Sequence, residues 1–241
     1  MQIGILGGTG PAGSALAARL ASVGHEVIIG SRSKYRAMEV VDKLHEQWKS
    51  RDLQIVAGDN PGAAAAEVVV IATPWDGAYG VATSVAELLD GKVVICMANA
   101  LTRIGKEFQP LVPPRGSVAA SVQAAVPSCQ VAAGFHHVPA KELGDLSHPI
   151  ESDVLICSDY PRATEVTSAI ASSVPNLRPL DAGGLSQATP IESFTAVLLQ
   201  LNVHYKTRVA VKFTGIADFD GPADAPVGAG AGRENPADEG E

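Results

Sequence analysis

Gly8-Thr9-Gly10-Pro11-Ala12-Gly13 fits G-x-G-x-x-G, and it is the first stretch whose residue types and spacing point to chemistry. It follows the apolar run Ile3–Leu6 and opens a segment with Leu16, Leu20 and Val23 at helical spacing. A loop between strand and helix is the context this motif needs. Gly8 permits the tight turn, Gly10 lets the backbone approach a phosphate, and Gly13 lets helix pack closely on strand. Pro11 at the first helical position forfeits no hydrogen bond. The remaining N–H groups and the helix dipole attract an anion. Thr9, Gly10, Pro11 and Ala12 are therefore read as a pyrophosphate cradle, against the plainer alternative of a structural glycine turn.

The second apolar run, "EVIIGSRS" at 26–33, ends in Ser31-Arg32 where an acid would serve the ribose hydroxyls of NAD. An acid would repel a 2′-phosphate. Arg32 instead offers a planar, permanently charged fork, Ser31 adds a hydroxyl, and Arg36 lies one helical turn further on. Lys34 is a weaker candidate. A merely solvated basic helix start is slightly unfavourable at a helix N-terminus, which favours a bound anion. The swap predicts NADP over NAD.

Three later strand ends carry unusual residues: Thr73-Pro74-Trp75-Asp76, Met97-Ala98-Asn99-Ala100-Leu101 and His136-His137-Val138-Pro139-Ala140. In an open parallel sheet, ligands bind beyond the carboxyl ends of the strands, so these segments should line one crevice. His136 could donate a proton to a carbonyl, but no acid is spaced to tune it, and a packing histidine is equally compatible with the pattern. Trp75 reads as a packing wall. An apolar crevice without an acid–base pair suits direct hydride transfer between stacked rings, so no catalytic side chain and no metal ligand is assigned.

The elements that must position these residues alternate. Strands are expected at 3–6, 27–29, 53–57, 68–72, 92–96, 130–134 and 153–157, with a short one in "NLRPLDAG". Helices are expected at 11–23, 34–48, 78–89, 117–125, 161–173 and 191–205, while "RVAVKF" at 208–213 could be a strand or a helix end. This predicts an α/β fold, a Rossmann-type doubly wound parallel sheet with a small C-terminal helical extension. The expected organisation is a domain over 1–216, with a subdomain at about 177–216, and then a tail.

That tail, 217–241, holds seven acids against Arg233, so −6 of the chain's net −8. It lacks apolar periodicity and is expected to be disordered. The acidic balance argues against nucleic-acid binding. Neither a basic leader nor an apolar run of about 18 residues occurs, so no signal peptide or membrane span is expected. Cys96, Cys129 and Cys157 lack metal-ligand spacing and read as buried, reduced thiols, which predicts a cytoplasmic protein.

"LGGTGPAG", "GHEVIIGSR", "TPWDGA", "HHVPA" and "LRPLDAGGLSQATPIES" occur in an order that resembles the F420:NADP oxidoreductases over about residues 1–215. The last stretch, with Glu192, is the most specific. The resemblance implies reversible hydride transfer between NADP(H) and the deazaflavin coenzyme F420, with rings stacked at roughly 3–3.5 Å. It implies that Thr9, Gly10, Pro11 and Ala12 hold phosphate, that Ser31, Arg32 and Arg36 clamp the 2′-phosphate, and that Thr73, Pro74 and Trp75 lie near the nicotinamide. His136, Val138, Pro139 and Ala140 would lie near the deazaflavin. Asn99 and Leu101 fall where the family has a more apolar, proline-containing run, a departure in which Asn99 could bond a ring carbonyl. The anionic tail of F420 calls for cations, either Lys206, Arg208 and Lys212 or Arg103 and Lys106. Family members often form homodimers, and the last helix is the candidate interface. Two other functions fit the same scaffold: an NADPH reductase of another small substrate, and a non-catalytic NADP-binding redox sensor.

Overall fold

In the computed structural model the described residues are 1–216, and the acidic segment 217–241 lies outside them. Ten strands and eight α-helices are formed in the described chain. They are β1 (Gln2–Leu6), α1 (Pro11–Ser22), β2 (Glu26–Ser31), α2 (Lys34–Gln47), β3 (Ile55–Asp59), α3 (Asn60–Ala64), β4 (Val68–Ile71), α4 (Trp75–Ser84) and β5 (Val93–Cys96). There follow β6 (Leu101–Ile104), β7 (Glu107–Pro110), α5 (Val118–Ala125), β8 (Gln130–Ala133), α6 (Ala140–Gly144), β9 (Ser152–Ser158), α7 (Pro161–Ser173), β10 (Leu177–Asp181) and α8 (Ala188–Tyr205).

Eight strands form one sheet in the order β10-β9-β8-β5-β4-β1-β2-β3. The chain starts in the middle, builds outward through β2 and β3, and then crosses to β4 and beyond. The switch point therefore lies between β1 and β4, where this topology opens a crevice. The central strands are apolar on both faces. Ile3 and Ile5 join α1, α2 and α7 in one buried cluster, and Val69 and Ile71 join α3, α4, α5 and α8 in the other. Two-sided burial explains the uninterrupted "VVVI" and "VVIC" strands.

Every pairing in this sheet is parallel except β8 with β9, where Ala132 faces Ser158 and Ala133 faces Cys157. The reversal has a local cause. Between β8 and β9 the only helix is α6, five residues long, which is too short to cross the sheet. The chain turns back at the crevice edge instead. The longer α7 then carries it across, so β9 and β10 pair in parallel.

Residues 208–213, whose state the sequence left open, form neither strand nor helix. They run along the start of β9, where Asp153 N–H donates to the Val211 carbonyl (2.7 Å). The hairpin β6–β7 had no sequence signal beyond Gly105, which takes φ +61° at its turn.

Candidate functional site

The turn from β1 into α1 is built as its glycines suggest. Gly7 adopts φ +74°, and a Cβ there would meet Thr73 Cγ2 at 2.6 Å. A Cβ on Gly13 would meet Gly8 Cα at 2.8 Å. A Cβ on Gly10 would meet the Gly7 and Ala72 carbonyl oxygens at 3.5 and 4.0 Å, contacts without a clash. The first bond of α1 runs from Ser14 N–H to the Gly10 carbonyl (2.9 Å), ahead of which Ala12 and Gly13 N–H have no place in the helical ladder. No side chain caps this helix. An anionic group fits such an end.

Ser31 closes β2 and is buried, its Oγ accepting from Ser33 N–H (3.2 Å). Ser33 caps α2 by accepting from Arg36 N–H (3.4 Å). Arg32, Lys34 and Arg36 are exposed, and none of them pairs with an acid among the described residues. Asp59 lies beside Ser31 in the adjacent strand, but its Oδ1 accepts Gly62 N–H (2.8 Å) to cap α3. Arg32, Lys34 and Arg36 form a cationic rim at the start of α2.

Beyond β5 and β8 lies a cavity of about 1000 Å³. Ala12 of α1 forms part of its wall, together with Asn99, Leu101, His136, Val138, Pro139 and Ala140. The opposite wall comes from α8 and the segment after it, including Thr195, Leu198 and Lys206. Ala12, Asn99, Leu101, His136, Val138, Pro139 and Ala140, all singled out in the sequence, thus share one cavity. Thr9, Gly10, Pro11, Ser31, Arg32, Arg36 and Thr73 belong to the adjoining phosphate turn and cationic rim. Thr73 Oγ1 is buried without a partner beside Gly7. Pro74 caps α4. Trp75, 36% exposed, lines a separate cavity of about 300 Å³ with Tyr79, Pro113 and Arg115.

His136 is 5% exposed, and neither ring nitrogen has a hydrogen-bond partner of good geometry. Burial, with the neighbouring His137, pulls its pKa down to about 3 despite the nearby Met97 and Ala98 carbonyls. The shift favours the neutral ring at pH 7. Its backbone is placed by Phe135, which holds φ +62° while fully packed in the core. A bulky residue in the left-handed region carries strain, here set directly before a cavity residue.

Asn99 lines the cavity and also ties its wall together. Its Nδ2 donates to the His136 carbonyl (3.0 Å), and its Oδ1 accepts from Thr195 Oγ1 (3.1 Å). Glu192, one turn before Thr195 on α8, is 3% exposed and accepts from Val118 N–H (2.9 Å) and Ala119 N–H (3.1 Å). Burial drives its pKa up to about 7, and the two N–H donors oppose that rise. Among the cations, Lys206 and Arg208 line the cavity, and Arg208 pairs with Glu142 (2.8 Å). Lys212 is taken by Glu151 (3.0 Å), and Arg103 lies over the Phe108 ring in the hairpin, 5.7 Å from its centroid. Lys141 also lines the cavity and was not anticipated.

Residues 2–100 match the family described as NADP oxidoreductase, coenzyme F420-dependent. The F420-dependent NADP reductase of Methanocaldococcus jannaschii is 36% identical over 213 residues, covering 86% of this chain and 95% of that protein. The chain belongs to the F420-dependent NADP reductase family. A second member, from Methanothermobacter marburgensis, is 33% identical over 228 residues, 90% of this chain and the whole of that protein. A crystal structure from Arthrobacter sp. FB24, provisionally assigned as an F420-dependent NADP reductase, superposes with a TM-score of 0.75. It covers 88% of this chain and all of its own at 23% identity, and supports the fold.

The family resemblance did not point to Phe135 or Thr195. Phe135 is marked by its own backbone angle, and Thr195 by contacts with elements far away in the chain.

Proposed function

We propose that this F420-dependent NADP reductase moves a hydride directly and reversibly between NADP(H) and coenzyme F420, with no side chain acting as acid or base. The observation that carries the reading is continuity. The phosphate turn and cationic rim open into a cavity whose wall begins at Ala12 and ends at Lys206 and Arg208.

The residues fit the two groups. The uncapped start of α1 and the buried, unpartnered Thr73 Oγ1 suit a dinucleotide, and the unpartnered His136 ring suits a polar edge in the cavity. Bound together, the two coenzymes supply the donor and acceptor carbons. Thr9, Gly10, Pro11 and Ala12 hold phosphate, and Ser31, Arg32 and Arg36 select the 2′-phosphate. Asn99 and Thr195 fix the His136 carbonyl, and Leu101, Val138, Pro139 and Ala140 keep water from the ring edge. Lys141 and Lys206 offer charge to an anionic tail. Thr73, Pro74 and Trp75 bound the nicotinamide end.

The apolar residues Phe194, Val197 and Leu201 on one exposed face of α8 support a homodimer through that helix. Three unpaired, buried cysteines agree with a reducing, cytoplasmic setting. Among the described residues no helix is long and apolar enough to cross a membrane.

Mixing the protein with NADPH and F420 tests the reading. Deazaflavin absorbance near ~400 nm should bleach as NADPH is consumed. Tight NADPH binding without bleaching would overturn it in favour of another acceptor or a sensor.

A further inference from the structure

Arg19 sits in the last turn of α1, only 6% exposed, at the end away from the phosphate turn. Its guanidinium meets no carboxylate. Nε donates to the Leu143 carbonyl (2.9 Å), and Nη2 donates to the carbonyls of Glu142 (2.9 Å) and Asp145 (2.6 Å). Both Nη atoms also lie near the His148 carbonyl, at 3.4 and 3.3 Å. These carbonyls end α6 and begin the loop after it, where a cation complements the helix dipole.

A second contact joins the same helices. A Cβ on Gly144 would meet Ala15 Cβ at 3.1 Å, so α6 approaches α1 as closely as a missing side chain allows. On its other side α6 presents Ala140, Lys141 and Glu142 to the cavity, and Glu142 reaches Arg208 beyond α8. A five-residue helix has little stability of its own, so its place depends on these attachments.

We infer that Arg19 is a positioning residue for the second substrate: it locks α6 to the dinucleotide helix and so sets the width of the cavity between α1 and α8. The inference rests on the proposed reading of that cavity as the F420 site. It makes no claim on NADPH, whose phosphate turn lies at the other end of α1. Arginine suits the place because Nε and Nη2, two separate atoms of one rigid plane, reach the Leu143, Glu142 and Asp145 carbonyls together, a spread that the single nitrogen of an ammonium does not match.

Two variants test this by different routes. Arg19→Gln removes the fork, and Gly144→Ala wedges the helices apart while keeping it. In both, the KM for F420 should rise by about tenfold or more, the scale on which small misplacements act, with kcat lowered less. NADPH affinity, read from its fluorescence without any acceptor, should stay within about twofold, as for distant sites. Arg19→Lys should restore part of the lost KM.

Amide exchange without ligands separates this inference from the functional reading. It should quicken at 140–148 in Arg19→Gln while the amides of α1 stay protected. Quickened exchange with no F420 turnover in the unmutated protein would sink the reading of the cavity and leave the lock. An unchanged F420 KM in folded variants, or equal losses for both substrates, would overturn the inference.

Discussion

Thr195 and Asn99 converge on one carbonyl. Thr195 Oγ1 lies 3.1 Å from Asn99 Oδ1 and 3.3 Å from the His136 oxygen, to which Asn99 Nδ2 also donates at 3.0 Å. Three elements, the ends of β5 and β8 and the middle of α8, are thereby tied at the cavity floor. Thr195→Val should cost about 1 kcal/mol of stability, the net worth of a buried hydrogen bond. Combined with Asn99→Ala, the losses should fall short of additive by more than about 0.5 kcal/mol, since the residues share partners. Thermal melts of the two single variants and the double variant measure this, and simple additivity would dissolve the link.

Arg32 faces solvent without an acid partner among the described residues. Arg32→Ala should weaken NADPH binding by roughly 1.5–3 kcal/mol, the worth of a charged hydrogen bond. NADH should be little affected. Equal losses for both nucleotides in titrations would take the phosphate role from this side chain.

Gly13 has no room for a methyl group. A Cβ there would stand 2.8 Å from Gly8 Cα and 3.1 Å from the Gly7 oxygen, both backbone atoms. Gly13→Ala must push α1 off the turn. Nucleotide affinity should fall by roughly tenfold while the protein still folds, as small displacements at a site of close fit predict. Calorimetric titration with NADPH decides it.

His136 has its folded pKa depressed to about 3, chiefly by burial. The stability tied to its neutral ring is complete above its ordinary value near 6.5, and is lost as the pH falls from there towards 3. Between pH 6.5 and 5 the wild type should therefore lose more stability than His136→Asn, by up to about 1.4 kcal/mol per unit. Over the same range kcat should show no ionisation that this substitution removes. Such an inflection in the rate profile would return His136 to acid chemistry.

Glu192 behaves oppositely. Burial raises its folded pKa from 4.5 to about 7, so the folded state holds a proton that the unfolded chain gives up. Its share of stability is complete below pH 4.5 and is lost as the pH climbs to 7, by up to about 3 kcal/mol. Glu192→Gln should flatten that slope. Urea unfolding of both proteins at pH 5 and 8 reads the difference, and parallel slopes would contradict the assignment.

What could be read from the sequence and what could not divide along physical lines. The phosphate turn, the Ser31-Arg32 switch and the buried central strands are local, because glycine spacing, a terminal charge and an apolar run report their own surroundings. The segment 136–140 was legible as a strand end and does line the cavity. That Trp75 lines a smaller cavity with residues of α4 and α5 had no local signal. The bond between Asn99 and Thr195 was not legible, because nothing near Asn99 in the chain announces a partner 96 residues later. The reversal of β9 was hidden for a similar reason. It depends on how short α6 is, and "AKELG" between Pro139 and Asp145 carries too few residues for a periodic signal.

That reversal has a practical consequence. The strands β1, β2, β4, β5 and β8 all begin on the rim far from the crevice, and the chain itself starts there at Met1. Because β9 and β10 run the other way, the last described stretch reaches the near rim. There Phe213 N–H donates to Asp153 (2.6 Å), and Arg178 bonds the Phe213 carbonyl (2.6 Å). An affinity tag, a reporter or a surface tether added before Met1 will stand a full strand length from the cavity.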